Sequence, residues 1–163
     1  MEVPYMNESV IASWNLVQRA ENLVLSTWDH QNDYPDARTL FNLRVVRPGC
    51  FEAGASALPK GFSTWIATNT SSTKVRQLRA NPKAAIYFAD AQRFEGLTLQ
   101  GEVVEILDPA IRRGIWTDSW AMYYPGGLDG GDFTVFGFHP ARARYYHGLA
   151  VSQFDPRSVP ELA

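Results

Sequence analysis

The sequence predicts a mainly β protein: an antiparallel β-barrel of six to seven strands with peripheral helices. Three observations lead there. Short segments rich in β-branched and aromatic residues follow one another, bounded by turn-forming Gly, Pro, Asn and Asp. The helical patterns between them are few and short, which argues against a doubly wound parallel sheet. No G-x-G-x-x-G follows a strand, so a dinucleotide-binding βαβ unit is disfavoured further.

The first element is a helix over residues 7–22. Val10, Ile11, Trp14, Val17 and Ala20 recur at three- and four-residue steps, and Asn7 or Ser9 can cap it. Strands follow at 23–29 and 37–46, separated by Asn32-Asp33-Tyr34-Pro35-Asp36 and closed by Pro48-Gly49. A third strand, 62–68, leads into a helix over 72–80 that Asn81-Pro82 stops. Strands at 84–89 and 97–107 come next. Asp108 then caps a helix with Pro109 at its first position and Ile111, Ile115 and Trp116 beyond it. Strands at 133–138 and 142–147 complete the pattern. No repeat or linker divides residues 1–163, which read as one domain with a core of about 7–147 and a tail of 148–163.

Composition narrows the function. The chain has 163 residues, 45% hydrophobic and 20% charged, the balance of a folded domain large enough to bury its own core. Aromatic residues reach 13%, which suits a core, a subunit interface or a site for a flat ligand. The single cysteine, Cys50, excludes an internal disulfide and any multi-cysteine metal site. A formal net charge of −2 counts against a protein that works by neutralising nucleic-acid phosphates. A single-stranded nucleic-acid binder using the basic residues from Lys74 to Lys83 is a distant third reading. His30, His139 and His147 show no metal-ligand spacing, and no metal site is expected. No apolar run approaches the roughly 20 residues of a membrane span. Met1-Glu2-Val3-Pro4 lacks the layout of a secretory signal, so a cytoplasmic protein is expected.

Two segments could carry chemistry. In the first, an apolar strand ends in Thr68-Asn69-Thr70-Ser71-Ser72-Thr73, and a helix starts with Lys74 in its first turn. Helix starts present free N–H groups and a positive dipole, and ordinarily favour acids over lysine. Lys74 without an acid beside it points to an anion from outside the chain. A Ser-capped surface helix with a solvated face of Lys74, Arg76, Arg79 and Lys83 would show the same residues. In the second segment, strand alternation puts Arg38, Leu40 and Asn42 on one face, with Thr39, Phe41 and Leu43 on the other. An inward Arg38 needs an anionic partner, either a phosphate or one of the chain's own carboxylates.

The succession of these segments resembles a known family. It runs from Arg38-Thr39-Leu40 through Trp65-Ile66-Ala67-Thr68-Asn69, Ser71-Ser72-Thr73-Lys74, Asn81-Pro82 and Ala84-Ala85-Ile86-Tyr87-Phe88. Leu97-Thr98-Leu99-Gln100-Gly101-Glu102-Val103, Tyr123-Tyr124-Pro125-Gly126-Gly127 and Ala143-Arg144-Tyr145-Tyr146 complete it. The set is similar to the pyridoxamine 5′-phosphate oxidase-like split barrels that bind FMN, in particular their general stress protein branch.

That resemblance implies a homodimer with FMN at the subunit interface. It implies that Ser72 and Lys74 bind the FMN phosphate together with Arg38, and that Thr39 and Leu40 follow the ring and ribitol. It sets Thr68 and the backbone of Ile66 and Ala67 against the ring, and makes Trp116 and the segment from Tyr124 to Gly127 candidate contacts from the second subunit. The implied activity is an oxidoreductase that passes electrons from a small-molecule donor, such as a nicotinamide, to an acceptor. A non-catalytic flavin or haem module and a deazaflavin-dependent reductase are the alternatives. Three departures argue against vitamin B6 oxidation: Thr73 and Leu43 stand where the oxidases proper have basic residues, and the C-terminal Arg-x-His segment is missing.

Overall fold

The computed structural model describes residues 7–52 and 60–159. The N-terminal Met1-Glu2-Val3-Pro4, residues 53–59 and the last residues of the expected tail, 160–163, lie outside the described residues.

Helix α1 spans Glu8–Arg19, and Asn7 caps it by accepting a hydrogen bond from the Ser9 N–H at 3.0 Å. Its buried stripe is Val10, Trp14, Leu16 and Val17. Ile11, expected on that stripe, is instead exposed, and Leu16 takes the inward position. The helix stops short of residue 22 because Ala20 turns to extended backbone and leads into β1 (Asn22–Asp29).

Strand β2 (Tyr34–Phe41) pairs with β1 as a hairpin, with Asp33 in the left-handed region at the turn. It begins earlier and ends earlier than expected. Pro35 is tolerated because β2 is an edge strand. The strand ends because Asn42, fully buried, turns its amide to the Val17 and Ala20 carbonyls at 2.7 and 2.8 Å. The Asn42 side-chain oxygen meanwhile caps the short helix α2 (Leu43–Val46). A 3-10 turn over Pro48–Phe51 follows.

Strand β3 (Thr64–Asn69), helix α3 (Thr73–Ala80), β4 (Lys83–Asp90) and β5 (Glu95–Glu105) match the expected pattern closely. Helix α4 (Pro109–Ile115) is capped by Asp108, and a second 3-10 turn covers Asp118–Met122. The two last expected strands are one, β6 (Phe133–His147), which runs through Pro140 and is bulged at Ala141, the residue skipped where Gln100 pairs with Arg142 and Gly101 with Pro140. β7 (Ala150–Phe154) pairs with β6 inside the segment read as a tail.

The seven strands form one antiparallel sheet in the order β2-β1-β4-β5-β6-β3, with β7 on β6. The ends of this path, β2 and β3, do not pair with each other, yet both line one cavity, so the sheet curls into a barrel with an open seam. This is a split β-barrel. A core of Leu25, Ile66, Ile86, Phe88, Leu99 and Phe138, with others, fills its interior beneath α1. A second cluster, around Trp65, Ile115, Tyr124, Phe133 and Val135, packs α4 and the second 3-10 turn against β3 and β6. No helix among the described residues is long and apolar enough to cross a membrane.

Arg44 fastens one end of the seam. Its guanidinium, on α2 just past β2, donates to the Gly61 and Ser63 carbonyls just before β3, at 2.7 and 2.6 Å. It lies 5.0 Å from the Trp14 ring centroid and 4.3 Å from that of Phe51. Burial holds its pKa down to about 10. Arg44→Met keeps the bulk and removes the hydrogen bonds, so chemical denaturation should show a loss of about 2 kcal/mol. Unchanged stability would mean that the clasp contributes nothing net.

Candidate functional site

The seam encloses a cavity of about 320 Å³, the lower end of the roughly 300–1,000 Å³ range of small-molecule sites. The two edge strands supply Thr39, Leu40 and Phe41 from β2 and Ala67, Thr68 and Asn69 from β3. Lys74 reaches in from α3, and Trp120, Tyr123 and Tyr124 come from the second 3-10 turn and the residues after it.

Lys74 is the one cation in this lining. Its ammonium donates to Thr68 Oγ1 at 2.9 Å and makes no ion pair among the described residues. Burial and the nearby Arg38 charge both lower its pKa, while Asp36 opposes them. An amine held this way gains from any anion that reaches it.

The start of α3 has a matching feature. Ser72 occupies the N-cap position with extended backbone, but its side chain makes no capping bond. Its carbonyl takes the Val75 N–H at 3.1 Å, which leaves the buried Ser72 Oγ without a hydrogen-bond partner. A buried hydroxyl left unpaired costs about 1–3 kcal/mol. No acid sits in the first turn of α3. Ser72 does not itself line the cavity, but a hydroxyl lacking a partner stands two residues before an ammonium with no ion pair among the described residues, a combination suited to an anion at the start of α3.

Neighbouring groups hold these parts in place. Asp132 accepts from the Ser71 N–H at 2.8 Å and from Asn69 Nδ2 at 2.9 Å, contacts that hold its pKa below the usual carboxylate value. Asn69 Nδ2 also donates to the Tyr123 carbonyl at 2.9 Å, which ties the aromatic wall to the end of β3. Burial, reinforced by the Asp132 charge, pushes the Tyr124 phenol up to about 12, so it stays neutral.

Of the residues singled out in the sequence, Thr39, Leu40, Ala67, Thr68 and Lys74 meet around the cavity. Ile66 points into the barrel core and is 2% exposed. Trp116 stands behind the wall, its ring centroid 5.2 Å from Phe133, 5.8 Å from Tyr124 and 6.4 Å from Trp120. Arg38 does face inward, and its partner is a carboxylate of the chain, Asp36. Gln77, fully buried on α3, also accepts from Arg38, at 2.9 Å.

The sequence reading assigns nothing to Trp120, Tyr123 or Gln77. Gln77 had a signal, a polar residue between Val75 and Leu78 on the buried face of α3. Trp120 and Tyr123 had none, because their place depends on how an irregular segment packs. Among the described residues no cluster of His, Cys, Asp and Glu could hold a metal ion.

Residues 14–147 match the pyridoxamine 5′-phosphate oxidase family. Among solved structures, a Clostridium acetobutylicum protein related to general stress protein 26 of B. subtilis is 30% identical. Its TM-score is 0.70, over 90% of this chain and 93% of that one. A heme binding protein from Mycobacterium smegmatis is 16% identical, with a TM-score of 0.66 over 93% of this chain and 59% of that one. A pyridoxamine 5′-phosphate oxidase-related, FMN binding protein from Nostoc punctiforme is 17% identical, with a TM-score of 0.56 over 94% and 90%. The latter two likenesses bear on the fold alone. No curated protein matches the sequence. The matched stretch takes in the seam, the start of α3 and the aromatic wall, and the chain belongs to the pyridoxamine 5′-phosphate oxidase family.

Proposed function

We propose that the seam cavity is an FMN site and that the protein is a cytoplasmic flavoprotein oxidoreductase. It would take electrons from a reduced donor such as a nicotinamide and pass them to a small-molecule acceptor. One observation carries this reading: Lys74, with no ion pair among the described residues, lines a cavity walled by Trp120, Tyr123 and Tyr124, and the unpartnered Ser72 Oγ, itself buried outside that lining, stands two residues before it at the start of the same helix. A ligand with an anionic group and a flat aromatic system satisfies all of these at once.

In this reading Lys74 and Ser72 hold the phosphate, while Thr39, Leu40, Ala67 and Thr68 line the rest of the site. The redox chemistry belongs to the bound flavin, and the protein supplies binding and orientation. Phe41 and Tyr123 are about half exposed where they line the cavity, and a second copy of the chain packed there would cover them. Trp116 then supports the wall from within its own chain. Leu43, 3% exposed, lines the cavity where the oxidases proper have a lysine, so an anionic vitamin B6 substrate finds no charge there.

The Mycobacterium smegmatis structure is of a heme binding protein. No His, Cys or Met lines this cavity, and of the two tyrosines there that could ligate haem iron, Tyr124 is held neutral, while the Lys74 ammonium suits the phosphate of a flavin. The test is an absorbance spectrum of the purified protein before and after incubation with FMN and desalting. Retained flavin bands, with riboflavin washed away under the same treatment, are the expected result. A colourless protein, or one that carries a haem Soret band instead, would overturn the assignment. Bound FMN that no nicotinamide reduces would leave a binding module in place of an enzyme.

A further inference from the structure

Strand alternation puts Asp36 on the same inward side of the edge strand β2 as Arg38. The Asp36 carboxylate accepts from a terminal nitrogen of Arg38 and, at 3.2 Å, from the Gln77 side-chain amide on α3. Arg38 also donates to Thr27 Oγ1 at 2.6 Å and to Gln77 Oε1 at 2.9 Å. Its Nε–H has no hydrogen-bond partner among the described residues, so the guanidinium keeps a donor for another acceptor. Both charges reach the Lys74 ammonium, Arg38 lowering its pKa and Asp36 raising it, so the three groups share one electrostatic neighbourhood. Asp36 is the member most open to water: its side chain is 43% exposed, against 19% for Arg38.

We infer that Asp36 sets the anion preference of this site, as an internal rival that shares Arg38 with an incoming phosphate and limits how strongly a phosphorylated ligand is favoured over its unphosphorylated form. This deepens the flavin reading and rests on it for the identity of the anion. With Asp36 ionised, an anion arriving at Lys74 meets two cations and one carboxylate; without that carboxylate the two cations stand unopposed. An ion pair open to water on one side is weak, so a phosphate can draw on Arg38 while the carboxylate turns out to solvent. Thr27 and Gln77 remain as partners that hold the guanidinium in place. The Asp36 charge also repels the phosphate directly, in the same direction. The rival therefore lowers affinity and leaves the site open.

The experiment compares the wild type with Asp36→Asn, which keeps an acceptor for Arg38 and removes the charge, and with Asp36→Ser as a second neutral variant. FMN and riboflavin are titrated into each at low and high salt, riboflavin being the probe that lacks the phosphate. Both variants should bind FMN roughly tenfold more tightly at low salt, the order expected for one unit charge at the edge of a partly buried site. That gain should shrink as salt screens the charge, and riboflavin affinity should move less than about twofold. Glu105→Gln is the control, since it removes a carboxylate whose partner is the exposed Arg79 of α3. It should leave FMN affinity within about twofold of the wild type.

Unchanged or weaker FMN binding in both neutral variants would overturn the inference. So would an equal gain for riboflavin, or a gain that high salt leaves intact. If none of the proteins binds FMN, the flavin reading is lost, and inorganic phosphate becomes the deciding probe, followed through the NMR signals of the Lys74 side chain. Tighter phosphate binding by the neutral variants would then leave Asp36 its role. Equal phosphate affinities, or no phosphate response in any of the proteins, would remove that role as well.

Discussion

Replacing Lys74 with alanine should weaken FMN binding by about 1.5–3 kcal/mol, a tenfold to more than hundredfold rise in Kd, and leave riboflavin nearly unaffected. The ammonium donates to the Thr68 hydroxyl and makes no ion pair among the described residues, and Asp36 acts on it only at longer range, so a phosphate finds it without a direct counterion. The pH dependence has a definite sign. Only the protonated amine pairs with phosphate, and burial together with Arg38 lowers its pKa from the ordinary 10.5. Affinity should therefore be full on the acid side of that lowered pKa and fall as pH rises through it. The bound anion raises the pKa again, so binding in that window takes up a proton. The alanine variant should lack the alkaline decline. Equal FMN affinity in both proteins, or an unchanged decline, would place the phosphate elsewhere.

The largest loss of stability is expected from Gly101→Ala. A Cβ at this position would stand 2.1 Å from the His139 carbonyl oxygen and 2.7 Å from the Pro140 Cα. Both are backbone atoms of β6, which runs the length of the barrel, so relief requires moving a strand. The expected cost is about 3 kcal/mol, or a Tm lower by roughly 6–12 °C for a domain of this size. Gly96 on the same strand is the control. Its Cβ would meet ring atoms of Tyr146 and the Tyr87 hydroxyl at 2.5–2.6 Å, and side-chain tips can swing aside. Gly96→Ala should cost clearly less. Equal Tm values for the two variants would mean that β6 yields as easily as a tyrosine ring.

Much of this arrangement was legible in the residues, and the misses share a cause. Short β-branched runs and their turn residues located β1, β3, β4 and β5, and the hydroxyl-rich run before Lys74 located α3. Local pattern failed wherever a distant partner decides the backbone. Asn42 reads as one more strand residue until the carbonyls at the end of α1 claim its amide. Pro140 reads as a break until the bulge at Ala141, beside it on β6, lets the strand continue. The residues after His147 carry no strong strand pattern, and β7 forms because β6 offers an edge and Phe154 a packing site 5.6 Å from Phe62. For Arg38, alternation gave the inward direction and left the choice between phosphate and carboxylate open. Only the fold brings Asp36 and Gln77 to it.

The open seam also bears on solubility. Along β2 and β3 a row of backbone N–H and C=O groups has no strand to pair with, and such margins are where chains stick edge to edge. A molecule lodged between them, as the proposed flavin would be, would act as a gasket, shielding both margins and stabilising the folded chain in proportion to how tightly it is held. The supply of that molecule in the cell would then set how much of the protein persists, as well as how much of it is loaded.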